Sequence, residues 1–221
     1  MAIKENYEKI KSEVEALRPD HPPRIISVSK YQPLEKVEEA LAAGIVHFGE
    51  NRIVEGFEKF HGIGRASIDF VLHHIGPVQT GTIRKYNGLY SYAHGVGSAS
   101  VLDELKKRLD KDRWKMKVFL QVNLTDEDSK SGFSREEIKS LLRRASSIST
   151  EYCTLEGLMT MGPSSGDPVL TRKVFKELHS LRMEYAPNAK LSMGMSGDYR
   201  IAVEEGSDYL RIGTSIFGER K

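Results

Sequence analysis

Apolar residues in the first seventeen positions recur at spacings of three and four, which keeps them on one side of a helix. The pattern predicts one amphipathic helix that ends before Pro22 and Pro23, because proline does not continue a helix. The residues of this apolar stripe are Ile3, Tyr7, Ile10, Val14 and Leu17.

Eight short apolar runs rich in β-branched or aromatic residues follow, and stretches with helical spacing separate them. Ser100 with Asp103 and Ser134 with Glu137 each place a capping side chain three residues before an acidic residue, which predicts two helix starts. The predicted strands are 24–28, 45–49, 69–75, 89–93, 116–123, 154–161, 190–194 and 209–212.

Strands that alternate strictly with helices pair in parallel through right-handed crossovers. Eight such units predict closure into a (β/α)₈ barrel, the TIM barrel, rather than an open sheet. From Arg24 onward the chain offers roughly 25 residues per unit, which is compact for this fold. We therefore expect a single α/β domain over residues 1–221, with the opening helix as an addition to the barrel.

Composition narrows the classes of function. Lys and Arg total 33 and Asp and Glu total 31, so the net charge of +2 gives no basic field for nucleic acid. There is no run of about 18 apolar residues, and charges among the first seventeen residues argue against a secretion signal. Cys153 is the one cysteine, so it cannot form an internal disulfide. We expect a cytoplasmic protein that has neither nucleic acid nor membrane as a partner.

Polar residues follow four of the predicted strands at their carboxyl ends, where barrels of this type carry their active sites. Lys30 follows the first strand, Asn51 the second, Ser196 the seventh, and Gly213 with Thr214 the eighth. A partly dry barrel mouth favours the uncharged amine of a lysine, which can form a Schiff base with an aldehyde. The hydroxyls and backbone N–H groups after the last two strands suit a phosphate. Each residue alone also fits a plainer role, a solvated rim lysine for Lys30 and helix caps for Ser196 and Thr214.

Seven short motifs run nearly from end to end of the chain. They are Val28-Ser29-Lys30, Gly49-Glu50-Asn51-Arg52, His73 with Ile75-Gly76 and Gln79, Ser129-Lys130-Ser131-Gly132, Gly157-Leu158-Met159, Ser192-Met193-Gly194-Met195-Ser196 and Arg211-Ile212-Gly213. Each motif alone is weak, but the ordered set is specific, and it resembles the set found in the pyridoxal phosphate homeostasis protein family.

The resemblance implies a barrel like the N-terminal domain of bacterial alanine racemase, with pyridoxal 5'-phosphate (PLP) bound as a Schiff base to Lys30. Carried over by position, the other cofactor residues are Asn51 in the pocket wall, Arg211 at the pyridine nitrogen, and Ser196, Gly213 and Thr214 at the phosphate.

A guanidinium beside the pyridine nitrogen disfavours protonation of that nitrogen, which makes PLP a poor electron sink. The resemblance implies a PLP carrier or regulator without robust catalytic activity, which serves PLP-dependent apo-enzymes. We also expect a monomer. The alternative is a PLP-dependent amino-acid racemase, which needs a second base and a further domain for which this chain has no length. A metal-dependent hydrolase is a third class, but clustered histidines and carboxylates are not visible at the predicted strand ends.

Two stretches depart from the family's pattern. Thr80-Gly81-Thr82 replaces a small residue followed by Asn and Lys, and Gly97 stands where an Asp is usual. Gly81 also weakens the helical pattern over 78–86. None of these positions is among the predicted cofactor residues.

Two further patterns predict packing rather than chemistry. His73 and His74 are neighbours in a predicted strand, so they point to opposite faces of the sheet and cannot share one metal ion. We expect one inside the barrel and the other under a helix. The methionines expected to fill ordinary barrel positions are Met159, Met161, Met193 and Met195.

Overall fold

The computed structural model describes residues 3–63, 69–86, 88–125, 127, 130–144 and 148–219. Its eight strands form a closed barrel in chain order, and every strand is parallel to its neighbours. The predicted (β/α)₈ barrel is therefore confirmed. The strands are β1 (Arg24–Val28), β2 (His47–Glu50), β3 (Val71–Pro77), β4 (Tyr90–Val96), β5 (Met116–Gln121), β6 (Cys153–Met159), β7 (Lys190–Ser192) and β8 (Tyr209–Ile212).

Helices cover the outside of this barrel. α1 packs beside the short helices α7 and α8, so the predicted additional helix covers the side of the barrel where the chain ends. Its buried residues Ile3, Ile10 and Val14 belong to the predicted apolar stripe. The helices are α1 (Ile3–Leu17), α2 (Leu34–Ala42), α3 (Ile53–His61), a 3₁₀ helix (Thr80–Lys85), α4 (Ala99–Asp112), α5 (Arg135–Leu142), α6 (Pro168–Tyr185), α7 (Tyr199–Glu204) and α8 (Thr214–Phe217).

The observed strand boundaries agree best with the predicted ones in the first and last strands of the barrel. β1 and β8 match their predicted ranges, whereas β3 runs two residues past position 75 to Pro77. β6 and β7 end earlier than predicted, at Met159 and Ser192. Their apolar patterns continue into loops because residues such as Met161 and Met195 line a pocket at the carboxyl end instead of extending the strands.

Apolar side chains form two layers. The interior of the barrel holds a small cluster, and a larger layer lies between the strands and the helices because successive strand residues face opposite sides. Phe48 and Leu105, for example, are fully buried in the outer layer. The interior cluster consists of Ile26, Tyr92, Phe119, Met159 and Tyr209.

One predicted helix start is confirmed and the other is wrong. Ser134 and Glu137 form a capping box, in which Glu137 N donates to Ser134 Oγ at 3.3 Å and Ser134 N donates to Glu137 Oε2 at 2.8 Å. The N-cap of α4 is Ser98 instead of Ser100, because β4 ends at Val96 and the helix begins at once. Ser98 Oγ accepts a hydrogen bond from Val101 N at 3.3 Å.

Within the described ranges, no helix combines the length and the apolar character needed to span a membrane. Ser129 of the fourth motif lies outside the described residues. Cys153 is free and buried at the start of β6.

Candidate functional site

A pocket of about 380 Å³ lies at the carboxyl end of the barrel. Its volume falls within the range of roughly 300–1,000 Å³ that is typical of small-molecule sites. Apolar wall is supplied by Val28, Ile75 and Pro77. The structure brings all six predicted cofactor residues to this one pocket: Lys30, Asn51, Ser196, Arg211, Gly213 and Thr214.

Lys30 follows β1 directly and is half-buried at the pocket. Within the described part of the chain, its amine has no hydrogen bond or ion pair, so it is available to a ligand. The backbone turns sharply after it, since Tyr31 adopts a φ of 62° that is unusual for a residue with a side chain. Glu55 Oε1 accepts a hydrogen bond from Tyr31 N at 3.0 Å and supports this turn.

A buried ionic network holds the end of β1 in place. Lys59 Nζ, on α3, donates to Glu50 Oε1 and to Ser29 O, both at 2.8 Å. Ser29 Oγ also donates to Glu50 Oε1 at 2.8 Å. Burial raises the pKa of Glu50, and the hydrogen bonds from Lys59 and Ser29 oppose that rise. The network therefore fixes the main chain immediately before Lys30.

Lys59 was not predicted from the sequence, although the sequence contains a signal for it. Gly56 and Phe60 are buried on the inner face of α3, and Lys59 lies three residues after Gly56 on the same face. A lysine at such a position requires a buried acceptor, and Glu50 at the end of the preceding strand supplies one.

Asn51 lies where the ends of β2 and β3 approach each other closely. A Cβ on Gly76 would lie 2.2 Å from Asn51 O, so only glycine permits this approach. His74, on the outer face of β3, lies 3.4 Å from Asn51 O through its Nε2 and 2.8 Å from the Tyr86 hydroxyl through its Nδ1. Asn51 Oδ1 is buried without a hydrogen-bond partner among the described residues, which costs about 1–3 kcal/mol unless a ligand pairs with it.

Arg211 places a buried cation in the pocket. Its Nη1 donates to Ser192 Oγ at 2.7 Å, and its Nη2 donates to Thr160 O at 3.0 Å. The described residues place no carboxylate within ion-pair distance of this guanidinium. Burial lowers the pKa of Arg211 to about 10, an effect that the charge of Asp198 partly opposes, so the group remains charged at neutral pH. A ligand that accepts hydrogen bonds would compensate this charge.

The loops after β7 and β8 form another part of the pocket wall. Ser196 Oγ accepts a hydrogen bond from Ser215 N at 3.4 Å, which joins the two loops. Thr214 begins α8 directly after Gly213. A Cβ on Gly213 would lie 3.3 Å from both Val28 Cβ and Val28 O, so glycine lets this wall pack closely against the strand that carries Lys30.

Three imidazoles connect this pocket to the opposite end of the barrel. His94 Nδ1 lies 2.9 Å from Ser192 Oγ, which in turn accepts from Arg211. His94 Nε2 lies 3.0 Å from His73 Nδ1, and His73 Nε2 lies 3.0 Å from His47 Nδ1. The chain of hydrogen bonds therefore runs from Arg211 through the barrel interior to the first residue of β2.

All three imidazoles are neutral. Burial lowers the pKa of His73 and His94 well below the ordinary value, and burial together with the charge of Arg24 lowers the pKa of His47 to about 4. A neutral imidazole donates one hydrogen bond and accepts one. The hydrogen bonds that link the three imidazoles therefore all run in the same direction.

The sequence predicted only part of this row of hydrogen-bonded imidazoles. His73 faces the interior and His74 packs against Tyr86 on the outside, which confirms their expected opposite faces. His94 was missed, although it follows the inward-facing Tyr92 by two residues and therefore faces inward as well.

The prediction for the methionines was correct only in part. Met159 lies in the interior cluster and Met193 in the outer layer, whereas Met161 and Met195 line the pocket. The last two follow their strands, where side chains turn toward the barrel mouth.

As for metals, no group of three His, Cys, Asp or Glu ligands occurs among the residues that the structure describes.

The fold and the pocket define a class of protein. Residues 1–221 match the family model described as alanine racemase, N-terminal domain. Curated relatives of this chain are named pyridoxal phosphate homeostasis protein. The Pasteurella multocida relative is 31% identical and covers 100% of this chain and 98% of its own length. The Aquifex aeolicus relative is 32% identical, over 90% and 87%. The chain belongs to the pyridoxal phosphate homeostasis protein family.

Solved structures agree with this assignment. PipY of Synechococcus elongatus, solved with PLP bound, has a TM-score of 0.86 and 28% identity, and the alignment covers 98% of this chain and 100% of PipY. The alanine racemase of Bartonella henselae has a TM-score of 0.74 at 16% identity, over 99% of this chain and 62% of the racemase. At that identity the racemase shows the shared fold alone.

Proposed function

We propose that this chain binds PLP in the carboxyl-end pocket and acts as a carrier or regulator of the cellular PLP supply. One observation carries the proposal: the pocket unites the amine of Lys30, the Oδ1 of Asn51 and the buried guanidinium of Arg211, and among the described residues the first two have no hydrogen-bond partner and the third has no carboxylate within ion-pair distance. PipY, which shares the whole fold, has been solved with PLP bound. The polar groups in the pocket match the aldehyde, ring and phosphate of that cofactor.

Each residue has a distinct part in the proposal. When bound, PLP supplies an aldehyde carbon that a primary amine attacks and a ring nitrogen that accepts a hydrogen bond. Lys30 provides the amine, and the network of Lys59 and Glu50 keeps its main chain in place. The residues assigned to the phosphate are Ser196, Gly213 and Thr214, with Asn51 beside the ring and Arg211 at the ring nitrogen.

Arg211 limits how strongly bound PLP would withdraw electrons. Its guanidinium is a donor held by Ser192 and Thr160, so it cannot protonate the ring nitrogen as a carboxylic acid would. An unprotonated ring stabilises a carbanion poorly, so it is a weak electron sink. The relatives from Pasteurella multocida and Aquifex aeolicus are likewise named for PLP homeostasis.

The proposal extends to the setting in which the chain acts. We infer that it works in the cytoplasm as a monomer and passes PLP to PLP-dependent apo-enzymes. Cys153 is buried, and burial raises the pKa of its thiol to about 12, so this side chain acts as a packing group. Size-exclusion chromatography with light scattering tests the monomer, and restoration of activity in a PLP-dependent apo-enzyme tests the transfer.

Titration of the purified protein with PLP tests the main proposal. We expect saturable binding with a visible absorbance that differs from that of free PLP and is lost in Lys30→Ala. Lys107→Ala, which changes an exposed lysine on α4, is the matched control and should bind as the wild type does. A protein that takes up no PLP refutes the proposal. Steady formation of D-amino acids would instead favour the racemase.

A further inference from the structure

A second cleft, of about 730 Å³, opens at the amino end of the barrel, on the opposite side from the candidate cofactor pocket. It lies between α1, the end of α6 and the starts of β1, β2 and β7. Nothing in the proposed function uses it. Three carboxylates line it, together with five Lys and Arg side chains. The cations are Lys11, Arg18, Arg24, Arg182 and Lys190.

Three of these cations have no acidic partner in the described part of the structure. Among the described residues, the Arg24 side chain donates to the Tyr209 hydroxyl alone, at 3.3 Å, and its guanidinium lies 5.4 Å from the centre of that ring. Arg18 donates to the main-chain oxygen of Ser207 at 2.6 Å. Among the described residues, no carboxylate lies within ion-pair distance of Arg18, Arg24 or Lys11. These three cations therefore remain available to an anion.

The carboxylates of the cleft do not cancel this charge. Asp208 is shared between Arg182, at 3.5 Å, and Lys190, at 3.8 Å, and it also accepts from Leu191 N at 2.8 Å. The other two, Glu15 and Asp20, are on or just after α1. Arg182 Nε is buried without a hydrogen-bond partner in the described part of the chain. The wall formed by the end of α6 therefore carries one unmet donor.

His47 forms part of the same wall. Its Nδ1 is engaged by His73, which leaves Nε2 as the nitrogen available to the cleft. Burial and the charge of Arg24 both disfavour its protonation. An anion between these two side chains would offset the charge of Arg24 and accept a hydrogen bond from the imidazole.

We propose that the amino-end cleft is a binding site for a small oxyanion, a phosphate or carboxylate, held by Arg24, Arg18 and Lys11 with His47 at its inner wall. Guanidinium groups recognise both kinds of oxyanion through paired N–H donors. The site is separate from the proposed cofactor pocket, and its existence does not depend on PLP binding.

The imidazole signals of His47 in NMR spectra provide the test, because His47 lies at the start of β2, at the opposite end of the barrel from the residues assigned to the PLP phosphate. Inorganic phosphate is added up to about 10 mM, a range that covers millimolar dissociation constants. The ionic strength is kept constant with chloride. Succinate is titrated in the same way as the carboxylate arm. Both series are run with and without excess PLP, so that binding at the other pocket is recognised.

We expect the His47 signals to shift and saturate with phosphate, succinate or both, and the arm that saturates identifies the oxyanion. Arg24→Gln should weaken that binding roughly tenfold. A second variant, Lys11→Gln, should weaken it less, since an ammonium group lacks the paired N–H donors of a guanidinium. Lys107→Gln should leave it unchanged. Shifts that never saturate with either anion, or equal binding by Arg24→Gln and wild type, would overturn the proposal.

Discussion

Replacing Lys59 by methionine tests the buried network that holds the end of β1. Lys59 Nζ lies 2.8 Å from Glu50 Oε1, and the side chains are 9% and 0% exposed. Methionine keeps the apolar stem but removes the charge and the hydrogen bond to Ser29 O. Removing one partner of a buried ion pair costs roughly 3–5 kcal/mol, because the remaining charge is uncompensated. Since the amine of Lys59 is not fully enclosed, we expect about 3 kcal/mol at neutral pH.

This loss should depend on pH. Burial raises the pKa of Glu50 and Lys59 opposes the rise, so the pKa is higher still when Lys59 is absent. A carboxyl group whose pKa is higher in the folded state than in the unfolded state stabilises the fold at pH values below its unfolded-state pKa of about 4.3. That contribution is lost as the pH rises through the folded-state pKa. Lys59→Met should therefore lose less stability near pH 5 than near pH 7.

Urea unfolding followed by the fluorescence of Trp114, the single tryptophan, measures both effects. Lys107→Met is the control for removing a lysine from an exposed helix position. The double variant Lys59→Met with Glu50→Gln should recover part of the loss, since no charge is then buried. A cost below about 1 kcal/mol at neutral pH, or the same cost at both pH values, would refute the reasoning.

Three further predictions concern the pocket and the imidazole chain. Gly76→Ala should weaken PLP binding roughly tenfold, because the added Cβ would lie 2.2 Å from Asn51 O; an unchanged titration would contradict this. Ser192→Ala should shift the absorbance of bound PLP and cost about 1–3 kcal/mol, since a buried donor loses its acceptor; a wild-type spectrum and stability would exclude it. Stability should fall as the pH drops below about 6.5, because burial lowers the pKa of His73 and unfolded histidines take up protons first; a constant urea midpoint down to about pH 5 would count against this.

The barrel was predictable because every unit repeats the same local pattern. The alternation of apolar runs with helical spacing determines the pairing of parallel strands, and closure follows from their number. The six pocket residues were predictable as neighbours for a related reason, since all of them lie at or just after the carboxyl ends of strands. Position along a strand is a property that the sequence carries directly.

The interior chain and the ionic network depend on distances between elements that the sequence does not contain. His47, His73 and His94 come from three successive strands, and their contacts need the register between those strands. Lys59 and Glu50 meet because α3 folds back onto the end of β2. The shift of the α4 cap to Ser98 likewise depends on where β4 ends.

Borohydride reduction of the PLP-loaded protein, followed by peptide mass mapping, tests the central claim most directly. Reduction makes the bond between the lysine amine and the cofactor carbon permanent, so the modified peptide identifies the attached residue. We predict that the modification lies on Lys30 and disappears in Lys30→Ala. Modification of a different lysine, or none on a protein that saturates with PLP, would contradict the account.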